Sequence, residues 1–254
     1  MIIAIDGPAG VGKSTVARLL ASRLGYLYLD TGALYRAVAW KTLRSGIDPA
    51  DGGRVTALLP SLSIQMLFQN GAMLVLVNDV DVTNELRTPD VTSAASVISA
   101  IPAVREWLLP VQRQIGQRGS VVAEGRDIGT KVFPAAPVKF FLEADATVRA
   151  ERRHRELVAA GHGGPMEKTY QDLSGRDERD RTRAVAPLVP AADARLIDTS
   201  SLRIEDVVEQ MLAALAAGKV VATANKETLV AGGHLVMPLA RAAAGRRAAV
   251  AADG

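Results

Sequence analysis

The residues with the plainest chemical meaning lie at the amino terminus. Gly7-Pro8-Ala9-Gly10-Val11-Gly12-Lys13-Ser14 fits G-x-x-x-x-G-K-[ST]. Such a loop turns backbone N–H groups inward around phosphate oxygens, and the helix start behind it adds a favourable dipole. Lys13 can reach β- and γ-phosphates, and the Ser14 hydroxyl can ligate Mg²⁺. The chemistry is nucleotide phosphate binding. Three further clusters bear on what receives the phosphate. Asp30-Thr31-Gly32-Ala33-Leu34-Tyr35-Arg36 and Glu124-Gly125-Arg126-Asp127 each follow an apolar run. In the third, Arg176 to Arg183, residues Arg176, Asp180 and Arg183 fall at i, i+4 and i+7, on one helical face. Alone, that run reads as a solvated surface. Eight arginines between Arg149 and Arg183 point instead to a segment that closes over phosphates, since the planar guanidinium fork suits phosphate oxygens.

These clusters need elements to position them. Ile2–Ile5 is a continuous apolar run, as in a strand buried on both faces. Ser14–Leu24 has helical spacing, with Val16, Leu19, Leu20 and Leu24 on one face. Tyr26–Leu29, Val121–Ala123, Val138–Leu142 and Arg195–Ile197 read as four more strands. Five short strands separated by helices predict a parallel α/β sheet, whose ligands bind at the carboxyl ends of its strands. Between the second and third strands, Gly46–Pro89 breaks the pattern. Leu62–Phe68 and Met73–Val77 are β-rich, and Asn70-Gly71 between them signals a hairpin. So long an excursion predicts a lid or substrate-binding element.

Composition narrows the rest. The 254 residues are 48% hydrophobic and 22% charged, so a core can be buried. Absence of cysteine excludes a disulfide scaffold, a thiolate metal site and a thiol nucleophile. No apolar run approaches the roughly 18 residues that span a bilayer, and the first residues do not resemble a signal peptide. A cytoplasmic protein without a membrane partner is expected. The net charge of +3 resides after Ala217, where five basic residues meet two acidic ones, and the remainder is neutral. The basic balance therefore does not predict a nucleic-acid partner.

IDGPAGVGKS, LDTGALYR, the PAVRE stretch around Arg105, AEGRDIGT, VFPAAPVKFFL and RDERDRTRAVAPLVPAADA occur in that order from Ile2 to about Glu209. Together they resemble the bacterial cytidylate kinase family of nucleoside-monophosphate kinases. The resemblance implies a P-loop NTPase-type five-stranded parallel sheet with flanking helices, a small antiparallel CMP-binding insert (about 46–89) and an arginine-rich lid (about 150–183). It implies a kinase domain over 1–217 that passes a phosphoryl group from ATP, with Mg²⁺, to CMP or dCMP, usually as a monomer. ATP would be held by Gly7, Pro8, Ala9, Gly10, Val11, Gly12, Lys13, Ser14 and Thr15, with Ser14 on the metal. CMP would meet Thr31, Tyr35, Arg36, Arg105, Arg126, Asp127, Arg176 and Asp180. Catalysis would fall to Lys13, Arg126, Asp127, Arg176 and Arg183. Within that scheme Arg36, Arg105 and Arg126 would place the acceptor phosphate, Asp127 would contact the sugar or order the site, and either Arg152 or Arg153 would serve the lid. Another monophosphate such as UMP, or a regulatory ATPase, is the alternative.

The end of the chain is of another kind. Ala214–Gly245, and GKVVATANKETLVAGGHL in particular, resembles a fragment of 1-deoxy-D-xylulose 5-phosphate reductoisomerase, in which Asn225, Lys226 and Glu227 would lie near cofactor or substrate. Some 30 residues cannot bury a core of their own, so residues 218–254 are expected to be neither an independent domain nor a reductoisomerase. The last nine are expected to fray.

Overall fold

A computed structural model of the chain describes residues 1–69, 72–117 and 119–222. They fall into two units, Met1–Leu202 and a second that begins at Arg203. The first unit is built on strands β1 (Ile2–Asp6) and β2 (Leu27–Asp30), with helices α1 (Lys13–Leu24) and α2 (Thr31–Arg44) after them. Helix α3 (Gly52–Leu58) and strands β3 (Ile64–Gln69), β4 (Ala72–Val77) and β5 (Val80–Asp81) form the excursion. Helices α4 (Pro89–Ile98) and α5 (Pro102–Gly116) lead to strands β6 (Val121–Gly125) and β7 (Val138–Glu143), then to helices α6 (Ala146–Ala159) and α7 (Met166–Thr182) and strand β8 (Arg195–Asp198). In the second unit the described part is helix α8 (Ile204–Ala222), where Arg203 is held by Asp206 through two contacts of 2.9 and 3.1 Å.

The sheet runs β2-β6-β1-β7-β8 and every pair is parallel. Strand β6 is buried along its whole length, as a strand covered on both faces must be. On one side Ala4, Leu29, Val121 and Ala123 join Leu34, Val38, Ile98, Val104 and Leu108 from α2, α4 and α5 in one apolar core. Helix α1 buries Val16, Ala17, Leu20, Ala21 and Leu24. Its face is turned slightly from the expected one: the buried stripe runs through Ala17 and Ala21, and Leu19, at its margin, is only half-buried.

The excursion is a three-stranded antiparallel sheet, β3-β4-β5. Gln69 pairs with Ala72, which leaves a two-residue connection; the predicted Asn70-Gly71 turn lies outside the described residues. A second two-residue turn, Asn78-Asp79, joins β4 to β5 with both φ angles positive, +48° and +64°. That is the primed turn that matches strand twist, and Asn and Asp tolerate it best among side-chain-bearing residues. Met66, Val75, Val77 and Val82 sink into the main core, so the excursion is anchored rather than free-standing. Among the described residues no single helix is long and apolar enough to cross a membrane. The reductoisomerase-like resemblance beyond Ala222, with Asn225, Lys226 and Glu227, and the predicted fraying lie outside the described residues.

Candidate active site

Register places the chemistry. Asp6 pairs with Gly125 across β1 and β6, and Asp30 with Glu124 across β2 and β6. Three carboxylates and the loops that follow them thus meet at the carboxyl edge of three adjacent strands. A cleft of about 710 Å³ opens there, lined by the glycine loop, the start of α2, the polar side of α4, the segment after β6 and the inner side of α7.

The glycine loop joins β1 to α1. Gly10 has φ +74°, and a Cβ there would lie 2.8 Å from the Arg149 carbonyl oxygen, so only glycine fits between the loop and α6. Lys13 is buried and donates to the Pro8 carbonyl at 2.6 Å. Burial, then the cationic Arg126 and Arg176, pull its ammonium well below the usual lysine range despite Glu124 and Asp180. A group so placed gains most from an arriving anion. The Ser14 hydroxyl meets the Glu124 carboxylate, which also accepts from Tyr28 at 2.5 Å. Burial and the neighbouring Asp30 push Glu124 upward.

The acceptor side is a lattice of alternating charge. Arg105 donates to Asp127 at 2.5 Å, Arg183 lies 3.8 Å from Asp127 and 3.3 Å from Asp180, and Arg126 donates to Asp180 at 2.8 Å. Burial alone would raise Asp180, but Arg126, Arg176 and Arg183 hold it below its ordinary value. Arg126 moves the opposite way: burial would lower it, but Asp180 and Glu124 keep it raised. Thr31 donates to the Glu124 carbonyl at 2.7 Å, and Tyr35 stacks beneath the Arg105 guanidinium at 5.3 Å. Arg36 is held on Asp30 at 2.6 Å, and Arg87, at the foot of the excursion, shares that carboxylate at 3.0 Å. Arg176 differs from these. Among the described residues it makes no ion pair, its Nε is buried without a partner, and burial followed by repulsion from Arg126 brings it down to about 10.

The structure brings together Lys13, Ser14, Thr15, Thr31, Tyr35, Arg36, Arg105, Arg126, Asp127, Arg176, Asp180 and Arg183 around one cleft. Arg183 is not on the α7 face with Arg176. It is the residue that ends the helix, at extended ψ, and reaches back to Asp180 while donating to Ala186, itself in the left-handed region at φ +51°. The two lid candidates separate. Arg152 points to the loop after β8, donating to the Thr199 and Ser200 carbonyls, whereas Arg153 lines the cleft. Sequence reasoning missed Glu124 and Asp30 as site members, although both stand in the quoted clusters at strand ends. It also missed Arg87, Asp6 and the α6–α7 pair Arg149–Asp177. Asp6 closes the turn after β6 by accepting from Ile128 and Gly129, each at 2.8 Å.

No three His, Asp or Glu side chains converge into a metal cage among the described residues. The oxygen set is a hydroxyl, Ser14, with Glu124 on it. This suits Mg²⁺, which keeps most of its waters and draws other ligands from substrate phosphates.

This arrangement can hold one phosphate chain on the loop and a second phosphate on the arginines. The comparisons agree. The family pattern described as cytidylate kinase matches residues 3–217. A cytidylate kinase of Pelotomaculum thermopropionicum is 49% identical over 218 residues, 85% of this chain and 96% of that one. One of Carboxydothermus hydrogenoformans is 48% identical over 84% and 96% of the two chains. A bifunctional pantoate ligase/cytidylate kinase of Synechococcus elongatus is 49% identical over 83% of this chain and 41% of its own length. With the motifs, the sheet and the cleft in the same chain, the protein belongs to the cytidylate kinase family.

Proposed function

We propose that the chain transfers the γ-phosphoryl group of ATP to the phosphate of CMP or dCMP, giving ADP and CDP or dCDP. The observation that carries this reading is the pairing of a phosphate loop with a second, separate cluster of buried arginines in one cleft. A hydrolase needs only the first. Phosphoryl transfer passes through a loose transition state, so positioning and neutralisation of charge supply most of the catalysis. In this reading the loop from Gly7 to Thr15 and Lys13 hold the donor phosphates. Ser14, with Glu124 behind it, would hold Mg²⁺, which would supply charge neutralisation at the donor phosphates. Arg36, Arg105 and Arg126 turn the acceptor phosphate oxygen toward the γ-phosphorus. As that oxygen bonds to phosphorus, the bond to the β-phosphate oxygen breaks and ADP leaves. Arg176 and Arg183 face the charge on the group in transit. Asp127 and Asp180 hold Arg105, Arg126 and Arg183 in place and meet the nucleotide sugar. Arg153 is the lid arginine. The kinase unit runs to about residue 217, and 218–254 is an addition without its own activity.

The test is ADP release from MgATP with CMP, dCMP, UMP, AMP and GMP offered in turn. Turnover confined to CMP and dCMP is expected. Equal turnover with UMP would move the reading to a broader pyrimidine acceptor, and ADP release independent of any acceptor would replace it with an ATPase.

A further inference from the structure

Ala9, in the middle of the phosphate loop, has both polar groups of its backbone held by one ion pair. Its N–H donates to Asp177 Oδ1 at 3.2 Å, and its carbonyl accepts from Arg149 Nη1 at 3.0 Å. The same Nη1 also donates to Asp177 Oδ2, and Arg149 Nε reaches the Ala144 carbonyl at 3.0 Å. Arg149 lies in the first turn of α6, and Asp177 in the carboxyl-terminal half of α7. Both are buried, at 5% and 4% exposure. Asp177 neighbours Arg176 and stands three residues before Asp180, the carboxylate that organises Arg126 and Arg183. Thus α7 is fixed at two points, by Asp177 to the donor loop and by Asp180 to the acceptor arginines. A buried ion pair is a poor way to gain stability, since its desolvation offsets its attraction and apolar residues of like volume do as well. A role in geometry accounts for it better.

We propose that Arg149 and Asp177 are positioning residues that lock the register of α7 against the phosphate loop, and so set the distance between donor and acceptor phosphates. This rests on the kinase reading above. In-line transfer is sensitive to displacements of about 1 Å, which can cost about a hundredfold in rate. Loosening the lock leaves each substrate its own contacts but spoils their alignment.

The test uses the full chain and the variants Asp177→Asn, Arg149→Lys and the two combined. For each, kcat and KM with ATP and CMP, acceptor-independent ADP release and the thermal midpoint are measured. Expected is a fall in kcat of about 10- to 100-fold, a change in either KM below about threefold, and a larger fraction of ADP released without transfer. The double variant should be no slower than the slower single one, because the two side chains act as a unit. Should Asp177→Asn fail to fold, Arg149→Lys, which keeps the cation but is shorter and loses the Nε bond to the Ala144 carbonyl, carries the test. A lowered midpoint with wild-type kcat would make the pair merely structural and overturn the proposal. A wild-type chain inactive on CMP would overturn the kinase reading, and the lock with it.

Discussion

Arg176 offers the sharpest test of how the cleft divides its work between folding and binding. The other arginines of the acceptor side pair with carboxylates, but Arg176 feels Asp180 only at longer range, and burial followed by repulsion from Arg126 brings its pKa down to about 10. A shift of that size corresponds to about 3 kcal/mol against the charged form. The side chain is partly open to the cleft, where water screens it, so about 1–2 kcal/mol is a sounder figure. For a base with a lowered folded pKa, the cost is present at every pH below that value and is relieved only above it. Replacing Arg176 with Met keeps an unbranched apolar stem and removes the charge. The ligand-free variant should therefore be more stable than wild type by about 1–2 kcal/mol, a rise in thermal midpoint of about 2–8 °C for a chain of this size. The gain should be flat from pH 6 to 9. The same change removes a charge-assisted contact worth about 1.5–3 kcal/mol, so CMP should bind about 10- to 100-fold more weakly. Thermal melts with and without CMP, joined to calorimetric titration, measure both numbers. A variant that melts lower than wild type while binding CMP normally would refute the reasoning, since Arg176 would then be a structural residue.

Other outcomes are also expected. Lys13→Ala should chiefly lower kcat, and Arg126→Ala chiefly raise the KM for CMP; steady-state kinetics showing normal CMP affinity in Arg126→Ala would count against the acceptor assignment. Burial pushes the Asp6 carboxyl up to about 6, against the lowering effect of the Gly129 and Ile128 N–H groups. For an acid with a raised folded pKa, the native state holds the proton longer, so stability falls as pH rises from about 4 to about 6, by about 3 kcal/mol. Asp6→Asn cannot titrate, so the advantage of wild type in urea unfolding should shrink by up to that amount between pH 4.5 and 7; a constant difference rejects it. A chain ending at Ala217, where the family match also ends, should keep its kcat and thermal midpoint, and a large drop in either would assign the tail a structural role.

Much of this was legible in the residues. The glycine loop announces itself because its spacing is dictated by a fixed ligand, and the inner strands because a sheet covered on both faces needs unbroken apolar runs; the edge strand β8, with Arg195 and an exposed Leu196, carries a weaker signal. The acceptor arginines were visible as clusters at strand ends. What the sequence hid is what long-range register creates. Asp30 and Glu124 become neighbours only once β2 and β6 pair, and Arg149 and Asp177 meet through the packing of two helices 28 positions apart. Asn78-Asp79 was overlooked beside the stronger Asn-Gly signal. The choice between Arg152 and Arg153 depends on a helical rotation of one residue, about 100°, finer than sequence spacing resolves at a helix whose start is uncertain by a residue or two.

The order β2-β6-β1 has one more consequence. Strands β2 and β6 lie side by side although some ninety positions of chain, Thr31 to Ser120, separate them. That whole stretch leaves the sheet and returns next to where it departed, so the hairpin within it can change at its exposed side without altering the strand order, provided α2, α4 and α5 keep the core they share with the sheet. A chimera that grafts the hairpin of a relative between α2 and α4 should fold on the same sheet and test acceptor choice as a cassette.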